Sequence, residues 1–590
     1  MSQLTTSPDA APPQASAAPR TIPRLWREAV AAGHTVPAYL VERDGAWQEV
    51  PFAEAARRVD ELTNGLLALG IRKADAFAIL ASTRLEWALF DFALASVGGI
   101  TAPIYANSSP HDCAHVLVDS DAVGVLVEDE EQRAKVDEVH GEVPRLEHVL
   151  SFGDLDELAS RGREFAAAHP GALDDAVASI SEDDLFTYIY TSGTTGPPKG
   201  CMIRHRNYYE MASIVDRLES FMLRGDLMLL YLPLAHNFGR LMHLMGPYAG
   251  FTVAFCPDPY AVAEALTAVR PTIFPSVPRA YEKMHTAVLA RFQEETGLKR
   301  RLLDWALEVG RRASRLQADG RPLPRGLVLR HRLADRLVYS KVKARLGGRL
   351  RIGLSGGAPL AVEIAELFHA LDILVLEGYG LTECTTAASV NRPDRFRFGT
   401  VGPAMPGFEL RIDEDGEILI RSETVFAGYH KQEEATRAVL SEDGWLRSGD
   451  IGSIDADGFL SITDRKKDIL VTAGGKKVAP QNLENDLKTS RYVSQALLVG
   501  DRRPYVAALV TLDEDEVGKW RTAGGGDVRE LIQGVVDDVN RERSGFEQIK
   551  RVAILPRDFS AEEGEITPTL KLRRRVCEEH FAAEIERVYG

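Results

Sequence analysis

Cysteine is scarce: five residues in 590 (Cys113, Cys201, Cys256, Cys384 and Cys577), with no CxxC pair among them. That spacing excludes a disulfide-stapled scaffold and a cysteine zinc site, and predicts reduced structural thiols in a cytosolic setting. A surplus of positive charge is missing too. Lys and Arg number 70 against 86 Asp and Glu, a formal charge of −16. This excludes a chain that holds nucleic acid through general phosphate contacts, so any anionic ligand must be met by a local site. No apolar run reaches the ~20 residues of a membrane span, because the richest stretch, 241–256, is broken by His243, Pro247 and two glycines. The first residues, rich in Ala, Pro and Ser, lack a basic and then apolar leader, so 1–22 is expected to be a flexible tail without a secretion address. The expected localisation is cytoplasmic, with membrane contact at most peripheral. No internal repeat is visible.

The chain is 45% hydrophobic and 26% charged, ample material for large cores. From about 50 to 150, short apolar runs (FAILAS, ITAPIYA, VGVLVED) alternate with helical periodicity, as in LEWALFDFALAS, which is the rhythm of βαβ units and a parallel sheet. It resumes with LMLLYLPL, GFTVAFC, PTIFPSVP, LRIGLSGG and ILVLEGYG. The predicted fold class is α/β: a large N-terminal body of sheets flanked by helices, over 23–463. Within it, 279–346 reads as a charged helical insert. Residues 400–463 read as a small β-rich subdomain with hairpins turning at Asp415-Gly416 and Asp457-Gly458. After the basic run 464–468, the segment 469–590 reads as an α+β domain whose terminal helix starts at 571.

Five segments carry chemistry. In YIYTSGTTGPPKG, a strand runs into Thr191, Ser192, Gly193, Thr194, Thr195, Gly196 and then Lys199. Glycines admit an oxyanion close to backbone N–H groups, hydroxyls add donors and the lysine adds charge, so this reads as a phosphate loop. It is not a Walker A loop, since Pro198 precedes the lysine and Gly200 follows it. In LEGYGLTECT, a turn at Tyr379-Gly380 presents an aromatic ring, the Thr382 hydroxyl and the Glu383 carboxylate, suited to a base, a phosphate and a metal ion. RIGLSGGAPL places Gly357 and Ala358 where a flat ring fits against backbone. LRSGD sets Asp450 after a Ser-Gly turn as an acceptor for ribose hydroxyls, with Arg465 as its neighbour. GEITPTLK places Lys571 after a Pro/Thr turn.

In this order, from about 25 to 590, these segments resemble the adenylate-forming superfamily of acyl-CoA synthetases, luciferases and peptide-synthetase adenylation domains. YLPLAH, SVPRAYEKM, LLDWALEVG and TPTLK are similar to the bacterial long-chain fatty acyl-CoA synthetase branch. The resemblance implies an ATP-dependent, AMP-forming ligase with Mg²⁺ as cofactor, a long-chain fatty acid and CoA as the other substrates, and no nucleic-acid partner. It implies that Thr382 binds phosphate, Glu383 holds Mg²⁺, Tyr379 packs on adenine with Gly380, Gly357 and Ala358 beside it, and Asp450 and Arg465 hold the ribose. It implies further that His236 borders the acyl pocket, that Lys467 within 464–468 is the hinge of a mobile C-terminal domain, and that Gly474 and Gly475 line the CoA tunnel. Two alternatives stay open: an acyl-AMP ligase that loads a carrier protein, and a non-catalytic nucleotide- or lipid-binding homologue.

On this reading Lys571 meets the α-phosphate only while the carboxylate attacks it. Lys571→Ala is expected to slow adenylate formation about 10²-fold, the loss of one preorganised charged donor, and to spare thioester formation from supplied acyl-adenylate. Pyrophosphate exchange and acyl-CoA release measure the two steps; equal losses in both contradict the role.

Overall fold

The computed structural model describes residues 4–6, 18–191, 197–218, 221–541, 543–560, 562–567 and 572–590. The alternating apolar runs fold into parallel strands with crossover helices, because a parallel neighbour needs a long connection. One six-stranded sheet runs His148–Ser151, Gly124–Val127, Ala76–Ala81, Ile100–Tyr105, Leu185–Thr191, Lys199–Arg204, and only its last pair is antiparallel. An eight-stranded sheet runs Ser389–Val390, Val375–Tyr379, Ile352–Ser355, Ile273–Ser276, Leu227–Leu230, Thr252–Phe255, Tyr39–Arg43, Ala46–Val50, with an antiparallel strand at each edge.

The helix Leu85–Ser96 joins the two sheets. Every residue but Glu86 is buried, and a helix apolar all round belongs inside a core rather than on a surface. It shares one hydrophobic cluster with Phe77 of the first sheet and Met228 and Phe255 of the second. Within that cluster, Arg240 of the helix Asn237–Ala249 is fully buried. Its Nε donates to Asp91 Oδ2 at 3.0 Å, a second nitrogen reaches Asp91 Oδ1, and Nη1 donates to Thr187 Oγ1 at 2.6 Å. Asp91 also accepts from Thr101 Oγ1 at 2.7 Å, and the guanidinium lies 4.2 Å from the Phe186 ring centroid. One ion pair thus ties two helices to two strands of the first sheet.

The β-rich subdomain is an antiparallel sheet in the order Leu4–Thr6, Glu409–Ile412, Glu417–Arg421, Leu446–Ile454, Leu460–Arg465. Its hairpins turn where expected, with Gly416 at φ +89° and Gly458 at φ +84°. One reading changes here and one stands. Residues within the expected flexible tail form a strand, Leu4–Thr6, that pairs antiparallel with Glu409–Ile412, since an edge strand offers unpaired backbone groups. The charged insert is helical as expected, from Pro278–Glu294 through Gly297–Ala318 to Arg325–Ala334, a π-helical stretch Asp335–Tyr339, and Ser340–Arg345.

In the C-terminal part, the hairpin Val493–Val499/Val506–Leu512 gains a parallel third strand, Ile549–Ile554. The terminal helix starts at Arg574, not 571, and is two helices, Arg574–His580 and Ala582–Tyr589. Ile566 bridges Leu572, and Arg573 N bonds Glu565 O at 2.7 Å, which commits 572–573 to pairing with 565–566 before the helix begins. The break falls at Phe581, whose ring is buried against Phe559. All five cysteines are buried and unpaired.

Removing one partner of a buried ion pair strands the other charge and costs about 3–5 kcal/mol. Arg240→Met is expected to lower the denaturant midpoint accordingly, and Arg240→Met with Asp91→Leu to recover most of the loss. An unchanged midpoint in the single variant contradicts the role of the pair.

Candidate active site

A continuous cleft of about 3710 Å³ opens beside the carboxyl ends of the central strands, lined from both the large body and the C-terminal part. That position is where open α/β sheets take ligands. Lys199 starts the strand Lys199–Arg204 opposite Thr191, and its Nζ lies 5.1 Å from the Tyr429 ring centroid. Ser192, Gly193, Thr194, Thr195 and Gly196, and likewise Lys571, lie outside the described residues. The near end of the loop is held by Pro198 O, 2.8 Å from His115 Nε2.

The strand Val375–Tyr379 ends in the second motif. A Cβ at Gly380 would stand 1.6 Å from Thr386 O, so only glycine lets the chain fold back there. Thr382–Cys384 forms a 3₁₀ turn, followed by Thr385 at φ +56° and Thr386 at φ +96°, conformations costly for a β-branched residue. Neighbouring bonds hold this strain: Thr385 Oγ1 donates to Thr424 O at 2.6 Å, Thr386 Oγ1 to Asn237 O at 3.3 Å, and Phe426 N to Glu383 O at 2.8 Å. Glu383 then accepts a 2.6 Å hydrogen bond from Tyr429 Oη. Lys199, Tyr429 and Glu383 form one row on the cleft wall.

The expected Ser-Gly turn before Asp450 is instead part of the strand Leu446–Ile454. Against Glu417–Arg421 the register slips between Leu419↔Arg447 and Glu417↔Ile451, a bulge that re-aims a side chain. Gly449 has φ +72° there. Asp450 is buried, accepts from Tyr379 Oη at 2.7 Å and forms an ion pair with Arg465, whose Nε lies 2.9 Å from its Oδ1. Burial and the Asp450 charge push the Tyr379 phenol well above its ordinary value, so it is held as a donor.

Gly357, at φ +89°, has no heavy atom within 4 Å of a Cβ position and faces the cleft with Ala358. Behind them, buried Glu377 accepts from Leu360 N at 3.0 Å. His236 caps the helix Asn237–Ala249, its Nδ1 accepting from Phe238 N at 3.1 Å, and it lines the cleft. Lys467 lines the cleft mouth. Just before it, Asp464 is buried and accepts from Arg465 N at 2.7 Å and Gln481 N at 3.0 Å. Burial pushes the Asp464 carboxyl up to about 6. Gly474 and Gly475 are not brought into the cleft. They sit in an exposed turn between the paired strands Leu470–Val471 and Lys477–Val478. Across the cleft, Arg279 Nη2 donates to Ser494 Oγ at 3.1 Å and Lys488 Nζ lies 3.5 Å from Glu282 Oε1.

Among the described residues no cluster of three or more His, Cys, Asp or Glu is arranged to hold a metal. A lone carboxylate suits Mg²⁺, which takes one or two carboxylates and completes its shell with substrate phosphates and water. Sequence reasoning missed Tyr429 and Asn237. Neither belongs to a motif of its own, and only the Glu383 carboxylate, which needs a donor once half-buried, signals the first.

The chain belongs to the AMP-binding enzyme family, whose sequence profile matches residues 26–430, with the AMP-binding enzyme C-terminal domain at 467–590. It is 38% identical over 568 residues to the long-chain-fatty-acid–CoA ligase FadD15 of Mycobacterium bovis, covering 93% of each chain. The long-chain-fatty-acid–CoA ligase ACSBG2 of Xenopus laevis is 30% identical over 630 residues, 98% of this chain and 84% of that one. Among solved structures, the adenylation domain of a carboxylate reductase from Mycobacterium chelonae superposes with a TM-score of 0.76 at 23% identity, over 96% of this chain and 91% of that one. The anthranilate CoA ligase AuaEII, in complex with anthranoyl-AMP, gives 0.73 at 20%, over 96% and 98%. These two likenesses show a shared fold.

Burial pushes the Glu377 carboxyl from 4.5 up to about 7, against the pull of the Leu360 N–H. A raised carboxyl pKa stabilises the fold below about 4.5 and loses that contribution as pH climbs through about 7. Between pH 5 and pH 8 the thermal midpoint of the native protein is therefore expected to fall more than that of Glu377→Gln. Asp464 titrates in both and cancels. Parallel midpoint curves contradict the assignment.

Proposed function

We propose that this chain is an AMP-forming long-chain fatty acid–CoA ligase. A fatty acid carboxylate attacks the α-phosphate of ATP, giving acyl-adenylate and pyrophosphate, and the CoA thiol then attacks the acyl carbon and releases AMP. The observation that carries the reading is the row Lys199, Tyr429, Glu383 sharing one cleft with the Tyr379–Asp450–Arg465 cluster. A cation and a carboxylate of the kind that suits Mg²⁺ stand at one place, and a buried carboxylate stands at another, which supports a nucleoside polyphosphate as ligand. The long-chain ligases at 38% and 30% identity support the acyl class and the CoA acceptor.

In this reading Asp450, paired with Arg465 and oriented by Tyr379 Oη, accepts from the ribose hydroxyls. The base lies over Gly357 and Ala358 beside the Tyr379 ring and Gly380. Thr191 through Lys199 and Thr382 bind the phosphates, and Lys571 closes on the α-phosphate. Two anions must meet in the first step, and preorganised donors offset their repulsion without reorganising at the moment of reaction. Glu383 would hold Mg²⁺, which when bound neutralises phosphate charge. His236 borders the acyl pocket. The units 23–463 and 469–590 turn about 464–468, at Lys467, so that the Gly474–Gly475 turn reaches the thiol path in the second step. No helix of the described residues is long and apolar enough to cross a membrane.

Incubation with ATP, Mg²⁺, CoA and a fatty acid chain-length series is expected to yield acyl-CoA, AMP and pyrophosphate, fastest with long chains, by mass spectrometry. Acyl-AMP without thioester favours carrier loading, and no product at all makes the chain a binding homologue.

A further inference from the structure

The helical insert carries a surface that the ligase reading does not use. Residues 297–345 hold fourteen Lys or Arg against four Asp or Glu, a net of ten positive charges in a chain whose total is −16. Within it, Arg325–Ala334, Asp335–Tyr339 and Ser340–Arg345 follow one another without a break as a helical rod. One face of the rod is buried: Leu327, Ala334, Val338 and Tyr339 are at most 7% exposed. Tyr339 Oη is anchored to Ala306 O of the helix Gly297–Ala318 at 2.6 Å. The opposite face presents Leu329, Leu333 and Leu337 at 68%, 50% and 36% exposure. Their spacing of four residues sets them in one stripe. Arg325, Arg332 and Arg336 fall beside the stripe and are exposed. Between Gly320 and Arg345 the one acidic residue is Asp335, and its carboxylate is taken by Lys343 Nζ at 2.6 Å.

We propose that this face docks on an anionic lipid bilayer, with the three leucines entering the headgroup boundary and the arginines meeting lipid phosphates. An apolar stripe flanked by arginines is the pattern of an interfacial helix, and the local charge is opposite in sign to such a membrane. Nucleic acid would use the arginines and leave the leucines in water. A second copy would use the leucines but set like charges against each other. The docking stands on the helix surface alone. Its use, taking up an acid that partitions into lipid, rests on the long-chain reading.

Flotation of the full chain with vesicles tests it without reference to activity. Binding is expected to vesicles of phosphatidylcholine with about 30% phosphatidylglycerol, not to phosphatidylcholine alone, and to weaken in about 0.5 M NaCl. Leu329→Gln with Leu333→Gln is expected to lower the partition coefficient ~10-fold, and Arg332→Gln with Arg336→Gln to lower it several-fold and flatten the salt dependence. Leu223→Gln, an exposed leucine outside the rod, leaves it unchanged, and unaltered thermal melts establish folding. The proposal is overturned by no flotation of the native chain, by flotation indifferent to either paired substitution, or by a dimer or an RNA complex that the same substitutions abolish. Ligase failure with intact flotation would sink the functional reading and leave the docking surface standing.

Discussion

The buried pair of Arg240 and Asp91 sets the geometry on which the cleft depends. Taking both charges out of water is expensive, and a hydrophobic pair of similar volume would cost less. What the pair supplies is position. Asp91 lies on the helix between the sheets, Thr187 on the strand Leu185–Thr191, and Arg240 one turn from Asn237. Asn237 O accepts from Thr386, and Tyr208 Oη bonds the Asn237 side chain. The strained turn that carries Glu383 is therefore fastened to the deepest ion pair of the large body through a single helical turn.

Strain and satisfaction are balanced around that turn. Thr385 and Thr386 adopt left-handed backbone conformations that cost of order 1–3 kcal/mol each. Their hydroxyls and the Glu383 carbonyl are all taken up by neighbours, so the turn holds one shape rather than several. On the opposite wall, the bulge at 448–450 serves the same end by aiming Asp450 at Tyr379. Both walls are preorganised before any ligand arrives, which is the condition for electrostatic catalysis of a reaction between two anions.

Much of this was legible in the chain. The alternation of apolar runs with helical periodicity predicts parallel sheets, because period and connection length are local properties. The Asp-Gly pairs predict the hairpins for the same reason. Glu383, Asp450 and Lys199 could be singled out because each follows a cluster of turn-forming residues in the sequence. What escaped is set by distance in sequence: Tyr429 meets Glu383 across 46 residues and Arg240 meets Asp91 across 149. The bulge before Asp450 looked like a turn, since Ser-Gly chemistry serves both and only the neighbouring strand decides. Leu4–Thr6 escaped because strand pairing at an edge depends on a partner some 400 residues away.

The central claim is that Asp450, held by Tyr379 and Arg465, reads the ribose of the nucleotide. Binding of a non-hydrolysable acyl-adenylate analogue and of its 2′,3′-dideoxy counterpart, by calorimetry on the native chain and on Asp450→Ala, tests it most directly. A hydrogen bond to a charged group is worth about 1.5–3 kcal/mol, so the native chain should prefer the hydroxylated analogue by ~10–100-fold, and Asp450→Ala should show no preference. Equal discrimination by both proteins would contradict it.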